Sequence, residues 1–155
     1  MSENKQHLAF DLEFSHIVRE IFIPVTMYAS PASTEGKYIK INALWDTGAT
    51  LSVITPKIAE ELNLEPFDKY IISGINDKGK LYDVVLSTIT FPNGMTFIGQ
   101  RFSVCEIPGA DVLIGMDIIS RGDCVITTAR GKTLFSFVIP TLNEKISFSK
   151  TVNNQ

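Results

Sequence analysis

The stretch that decides the fold is Ala43-Leu44-Trp45-Asp46-Thr47-Gly48-Ala49-Thr50. It completes a segment, residues 39–45, whose apolar residues occupy alternate positions, and this alternation predicts a half-buried strand. An ionisable carboxylate, a hydroxyl and two small residues follow that strand at once. Taken alone, Asp46-Thr47-Gly48 is typical of a turn, because Asp bonds to the backbone downstream and Gly tolerates positive φ. Whether this tripeptide is only a turn or part of a functional site depends on the rest of the sequence.

Short strand patterns dominate the sequence on both sides of this stretch. Pro24 lies in a β-rich segment and predicts an edge position or a bulge, and Asn93-Gly94 is a strong hairpin signal. Residues 112–114 form a short, fully apolar strand pattern. One helix is predicted from Thr55-Pro56 to Asn63, and one helical turn over residues 117–121. Many short strands favour a mostly-β closed barrel over a doubly wound sheet.

Composition limits the classes of function. The 155 residues suffice for one domain with a hydrophobic core, and 45% hydrophobic with 20% charged residues is ordinary for a folded protein. A net charge of −3 argues against a nucleic-acid partner, which would favour a basic face. Residues 1–7 lack the apolar core of a signal peptide, and the apolar residues 21–29 are too few to span a bilayer. We therefore expect no membrane partner.

The chain is expected to form one domain over residues 17–150. Residues 1–16 are polar and mixed in character and predict a flexible arm, and residues 151–155 predict a short tail. Cys105 and Cys124 have no neighbouring Cys or His ligands, so we expect no metal site and no cofactor. The two cysteines are interpreted as reduced core residues of a cytoplasmic protein, with one disulfide as the alternative.

Three features, in this order along the chain, resemble the retropepsin-like aspartic peptidases. They are Asp46-Thr47-Gly48-Ala49 after a strand, a glycine-containing hairpin over residues 73–82, and Val112-Leu113-Ile114-Gly115 before a helical turn. The resemblance covers residues 21–140 and implies an acid-protease fold, a closed β-barrel with one lobe per chain. The helix near residues 56–63 is more similar to the cellular and bacterial single-domain members than to the retroviral proteases.

The resemblance implies a role for each residue of the loop. Asp46 would be the catalytic residue, and Thr47 would point its hydroxyl into the loop of a partner chain. Gly48 would let the substrate backbone approach closely, and Ala49 is small for the same reason. Because the sequence contains no second Asp-Thr/Ser-Gly, a complete pair of carboxylates requires Asp46 from each of two identical chains, hence a homodimer. Two such carboxylates share one proton and activate water, the established mechanism of aspartic proteases.

The hairpin over residues 73–82 would be the flap that closes over a polypeptide substrate. Its functional residues are two glycines that let it bend and one apolar contact residue, namely Gly74, Gly79 and Ile75. Leu113 and Ile114 would line the substrate groove or brace the loop, with plain core packing as the alternative for Ile114. Asp117 begins the predicted helical turn, where capping and the helix dipole explain it without catalysis.

Two positions depart from the retroviral pattern. Retroviral proteases have an acidic residue at the position of Thr50 and pair it with an arginine at the position of Met116. Both are absent together here, so no buried charge is left without its partner. We therefore expect the dimer contact to use other segments, such as residues 133–140 or 145–150.

Two functions of different classes follow from these features. The leading hypothesis is a homodimeric aspartic endopeptidase. The alternative is a catalytically silent dimer of the same fold whose groove binds a peptide or protein. The intact Asp46-Thr47-Gly48 favours the enzyme, because a silent site has no need to confine a like-charged pair. A third possibility, an unrelated small barrel with a fortuitous turn, is disfavoured by the ordered motifs.

Overall fold

The strands expected from the sequence are present in a computed structural model, which describes residues 6–72 and 79–153. In chain order the elements are β1 (Leu8–Glu13), β2 (Phe22–Tyr28), β3 (Tyr38–Trp45), β4 (Val53–Ile54), α1 (Pro56–Glu61), β5 (Asp68–Ile72), β6 (Lys80–Thr90), β7 (Thr96–Val104), β8 (Val112–Ile114), α2 (Met116–Ile119), β9 (Asp123–Thr127), a 3₁₀ turn (Ala129–Gly131), β10 (Leu134–Ile139) and α3 (Phe148–Asn153).

Six of these strands form a closed barrel. Their order is β2-β3-β8-β4-β7-β6, and the pairing of β6 with β2 closes the ring, with β5 added outside β6. The three-residue strand β8 lies parallel to β3, with Trp45 opposite Ile114, and antiparallel to β4, with Val53 opposite Leu113. This arrangement sets the end of β3, where Asp46 begins, beside the end of β8. The expected closed barrel is confirmed.

A three-stranded sheet in the order β1-β10-β9 packs under the barrel. All six residues of β1 pair with β10, from Leu8 opposite Ile139 to Glu13 opposite Leu134. Phe10 is buried and lies 6.0 Å, between ring centroids, from both Phe91 and Phe135. The expectation of a flexible arm over residues 1–16 is therefore wrong for β1. One buried aromatic residue and six strand pairings hold a segment whose composition looked polar.

The core joins this sheet to the end of β3 that leads into Asp46. Trp45 is 6% exposed, and its ring centroid lies 4.9 Å from those of Phe135 and Phe137, both in edge-to-face geometry. Such aromatic pairs contribute about 0.5–1.5 kcal/mol each beyond the area they bury. The residue directly before Asp46 is thus fixed by β10. Trp45 is therefore a core residue.

The helices follow the sequence signals with small shifts. Helix α1 has Pro56 in its first turn, and Asn63 adopts φ +53°, a left-handed conformation that ends helices. The Thr55 hydroxyl donates to Asp111 (3.2 Å) and does not cap the helix. Helix α2 begins at Met116, one residue before the expected turn, and α3 crosses the predicted start of the tail at residue 151.

Several smaller expectations are also decided by the structure. Pro24 lies outside the part of β2 that pairs with β6, which begins at Thr26, in agreement with the predicted edge position. Cys105 and Cys124 are thiols without a disulfide; both are half-buried, and Cys124 packs against the core. None of the helices within residues 6–72 and 79–153 is long and apolar enough to cross a membrane.

Candidate active site

The loop after β3 holds the Asp46 carboxylate with its own backbone. The Asp46 amide donates to the Ile114 carbonyl (3.0 Å), which continues the β3–β8 pairing by one residue. The Gly48 amide donates to Asp46 Oδ1 (2.8 Å), and the Ala49 amide donates to the Asp46 carbonyl (3.3 Å). Asp46 itself is half-buried. The turn geometry suggested by Asp-Thr-Gly and the fixed carboxylate suggested by the family resemblance therefore occur together.

Small residues next to Asp46 leave its surroundings open. Thr47 and Gly48 are exposed, and Ala49 is half-buried. A Cβ added at Gly48 would lie 3.1 Å from Asp46 Oδ1, which is tighter than ordinary van der Waals contact. A larger residue at this position would therefore press on the carboxylate that the Gly48 amide now holds.

The second half of the loop packs against the chain that leaves β8. The amides of Met116 and Asp117 donate to the carbonyls of Ala49 (2.8 Å) and Thr50 (3.1 Å). Gly115 lies so close to this loop that a Cβ added to it would be 2.6 Å from the Leu51 carbonyl carbon and oxygen. Its φ of −99° is open to any residue, so glycine is needed here for space and not for conformation.

Buried polar groups connect the same two segments through side chains. The Ser52 hydroxyl donates to Asp117 Oδ1 (2.6 Å) and accepts a hydrogen bond from the Gly115 amide (3.0 Å). Asp117 Oδ1 also accepts from the Ile118 amide (3.0 Å), and Asp117 Oδ2 accepts from Gln100 Nε2 (3.0 Å). We call this set the Asp117 network: Ser52, Gln100, Asp117 and the Ile118 amide. Sequence reasoning missed Ser52 and Gln100, and treated Asp117 as a helix-capping residue only.

The other predicted site residues lie at different distances from the loop. Leu113 is 8% exposed and Ile114 is fully buried, in strand β8 beside Asp46. Gly79 is exposed with φ +81°, at the point where the chain enters β6. Gly74 and Ile75 fall outside the described residues. The roles of all five in a groove or flap stay predictions.

A small cavity lies between the active-site loop and the β5–β6 hairpin. Its volume is about 150 Å³, and it is lined by Leu51, Ser52, Asp68, Tyr70, Val84, Arg101, Ser103 and Asp117. Larger surface clefts of about 550 and 610 Å³ lie elsewhere, and neither includes any of residues 46–52. Among residues 6–72 and 79–153, no three His, Cys, Asp or Glu side chains are grouped so as to hold a metal ion.

Comparison with known protein families identifies the family of this chain. The sequence profile of a family described as "gag-polyprotein putative aspartyl protease" matches residues 31–121. The match spans more than half of the chain and includes the Asp46 loop, strand β8 and helix α2. The chain belongs to this family. The resemblance inferred from the ordered motifs is therefore confirmed, and the family is one of aspartyl proteases.

Three solved structures are similar to this member of an aspartyl protease family. A retropepsin-like aspartic protease from Rickettsia conorii is 16% identical, with a TM-score of 0.53 over 86% of this chain and 96% of that chain. The retroviral protease-like domain of Ddi1 from Leishmania major is 19% identical, with a TM-score of 0.46 over 70% and 82% of the two chains. EIAV protease complexed with the inhibitor HBY-793 is 26% identical, with a TM-score of 0.43 over 66% and 86%. The first of these likenesses supports the retropepsin-like fold.

Proposed function

We propose that this chain is an aspartic endopeptidase that works as a homodimer, with one Asp46 from each copy. The observation that carries the proposal is the carboxylate of Asp46, the residue directly after β3, which is held at Oδ1 by the Gly48 amide. It occupies this position in a chain of an aspartyl protease family. The substrate would be a polypeptide, which fits the open surface at Thr47 and Gly48.

The second carboxylate has to come from another copy of the chain. The sequence holds one Asp-Thr-Gly and no Asp-Ser-Gly. Asp117 is an acidic residue that packs against the Asp46 loop, but both of its carboxylate oxygens already accept hydrogen bonds within the Asp117 network. A twofold axis beside the loop would instead bring two identical Asp46 loops together. Of the two segments expected at that interface, residues 145–150 are largely exposed, whereas β10 within residues 133–140 already pairs with β1 and β9 and would contribute only its exposed face.

In the dimer the two Asp46 carboxyl groups would share one proton, because like charges about 3 Å apart do not both ionise. The ionised carboxylate takes a proton from water as the water oxygen attacks the peptide carbonyl carbon. The protonated carboxyl group gives its proton to the peptide nitrogen, the C–N bond breaks, and the amine leaves. Thr47 would tie the two loops together, and Gly48 and Ala49 would leave room for the substrate backbone.

The deciding experiment combines cleavage with dimer mixing. Wild-type protein should cleave an unfolded protein at mildly acidic pH, and Asp46→Asn should abolish cleavage while sedimentation still shows a dimer. Asp123→Asn is the matched control, because Asp123 is also half-buried and accepts a backbone hydrogen bond, from Leu142, away from the loop. An Asp46→Asn protein with wild-type activity would refute the catalytic role.

Mixing the two proteins tests whether the site is shared. With equal amounts of wild type and Asp46→Asn and free exchange of subunits, only about a quarter of the dimers hold two aspartates. Activity should fall to about a quarter of that of the same amount of wild-type protein. If each chain held a complete site, the mixture would instead retain half of that activity. A wild-type dimer that binds peptides without cutting them would favour the alternative function, a silent binding module.

A further inference from the structure

Two hydroxyl–carboxylate pairs flank the short β4–β8 ladder. At the end nearest the Asp46 loop, Ser52 donates to Asp117 (2.6 Å), and at the other end Thr55 donates to Asp111 (3.2 Å). Between them Val53–Ile54 pairs with Val112–Leu113. The two pairs have the same chemistry and occupy equivalent places on one ladder. Their surroundings, however, differ.

Both carboxylates are half-buried and both hydroxyl donors are buried, so the two pairs differ in the other groups that contact the carboxylate. Ser52 is fully buried and Gln100 is 5% exposed, and the Asp117 carboxylate is held by a hydroxyl, a side-chain amide and a backbone amide. Asp111 instead forms an ion pair with Lys57 (2.8 Å) at the surface. A carboxylate that accepts three hydrogen bonds from buried or backbone donors is fixed in both position and orientation.

The charged groups around Asp117 do not compete with these donors. Arg121, on the same helix, donates to the Asp117 backbone carbonyl (3.0 Å), and Arg101 from β7 and Asp68 from β5 line the cavity that Asp117 also lines. In the described part of the chain, no ion pair involves the Asp117 carboxylate. Hydrogen bonds therefore hold this carboxylate without a cation.

A path made of hydrogen bonds and short stretches of backbone leads from Asp117 to Asp46. The Ser52 hydroxyl, oriented by Asp117, accepts from the Gly115 amide, and the amides of the next two residues bind the carbonyls of Ala49 and Thr50. The Ala49 amide in turn donates to the Asp46 carbonyl. Because each of these groups bonds to the next, displacement of Ser52 would displace the loop that carries Asp46.

We infer that Asp117, acting through Ser52, is a positioning residue that sets the place of the Asp46 loop and so the separation of the two catalytic carboxylates. The inference rests on the proposed function. The coupling between two titrating carboxyl groups depends on their separation. A loop that loses its support would let the carboxylates move apart, and the two apparent pKa values of the pair would approach each other.

The test compares Ser52→Ala, which removes the hydroxyl of one pair, with Asp111→Asn, which neutralises the carboxylate of the pair at the other end of the ladder. For Ser52→Ala we expect kcat to fall about 10- to 100-fold, because misplacement by about 1 Å costs on that order. KM should change little, and the two limbs of the pH–rate profile should move toward each other. Asp111→Asn should keep the wild-type limbs. A loss of activity that matches the folded fraction, with unchanged limbs, would overturn the inference.

A milder variant and a second measurement keep the test decisive. Gln100→Met removes one donor from Asp117, and it should shift the limbs in the same direction if Ser52→Ala does not fold. Hydrogen exchange of the amides of residues 115–117 needs no activity. It should be at least tenfold faster in Ser52→Ala than in Asp111→Asn, and equal rates would refute the positioning role. A wild-type protein that does not cleave overturns the proposed function by itself, and the exchange result then decides the role of Asp117.

Discussion

Replacing Gly115 by alanine should displace the active-site loop. The new Cβ would lie 2.6 Å from the Leu51 carbonyl carbon and oxygen and 3.0 Å from the Ala49 carbonyl oxygen. The shortest of these contacts falls 0.8 Å short of the 3.4 Å at which ordinary van der Waals contact begins. All three atoms belong to the backbone, so no side chain can rotate away. The loop or β8 has to move by several tenths of an ångström.

Both stability and activity should respond to this movement. Overpacking of this kind costs about 1–3 kcal/mol, which urea denaturation would show as a lower midpoint at an unchanged m value. On the proposed mechanism, a displacement of this size at the Asp46 carboxylate should lower kcat/KM on the order of 10- to 100-fold. The activity loss should persist after correction for the folded fraction.

Gly109→Ala is the control for this prediction. Gly109 has φ +77° with nothing within 4 Å of an added Cβ, so its cost is conformational, about 1 kcal/mol, and activity should not change. A Gly115→Ala protein with wild-type stability would refute the steric argument. A destabilised Gly115→Ala protein with full kcat/KM would instead refute the link between this contact and Asp46.

Three further predictions concern the supporting structure. Phe137→Ala should lower the free energy of unfolding, measured by urea denaturation, by about 3–5 kcal/mol, because this fully buried ring packs on Trp45. Leu134, on the same strand, is 37% exposed, so Leu134→Ala should cost under about 1 kcal/mol. Similar losses in the two variants would contradict the packing argument. Deleting residues 1–13 should lower the Tm measured by calorimetry far more than deleting α3, which buries no residue; a negligible effect would show that β1 is dispensable. The hydrogen bond from Lys57 lowers the pKa of Asp111 from its ordinary value of 3.8. The ionised Asp111 therefore stabilises the folded state above pH 3.8, and this stabilisation is lost as the pH falls through the lower pKa of the folded protein. The Tm of Asp111→Asn should therefore depend less on pH between 6 and 2.5, and an unchanged dependence would refute the assignment.

Local signals in the sequence were sufficient for much of the barrel. Thr55-Pro56 predicts the start of α1, and Asn63 ends it in a left-handed conformation, because both depend on nearby backbone geometry. Asn93-Gly94 likewise joins β6 to β7, with Gly94 at φ +83°. Strand β1 was missed because its stability comes from β10, more than a hundred residues away, and from a single buried ring at Phe10.

In the candidate site, too, local signals could be read from the sequence and long-range contacts could not. Asp46-Thr47-Gly48 is typical of a turn by itself, and it stands out because the predicted hairpin over residues 73–82 and the motif over residues 112–115 follow it in the order of a known family. Ser52, Gln100 and Asp117 carry no such signal, since each is common in turns or strands. They meet only because β8 lies between β3 and β4, and that strand order cannot be obtained from spacing along the chain.

The pairing of β1 with β10 has a consequence for how the protein is made. On the ribosome, Phe10 leaves the exit tunnel long before residues 134–139 have been translated, and its strand has no partner in the interval. The layer that supports Trp45 is therefore completed only after the polypeptide has grown past residue 139. Until that moment the neighbouring aspartate lacks a rigid base, so a nascent chain is expected to remain inert toward the other proteins being synthesised around it.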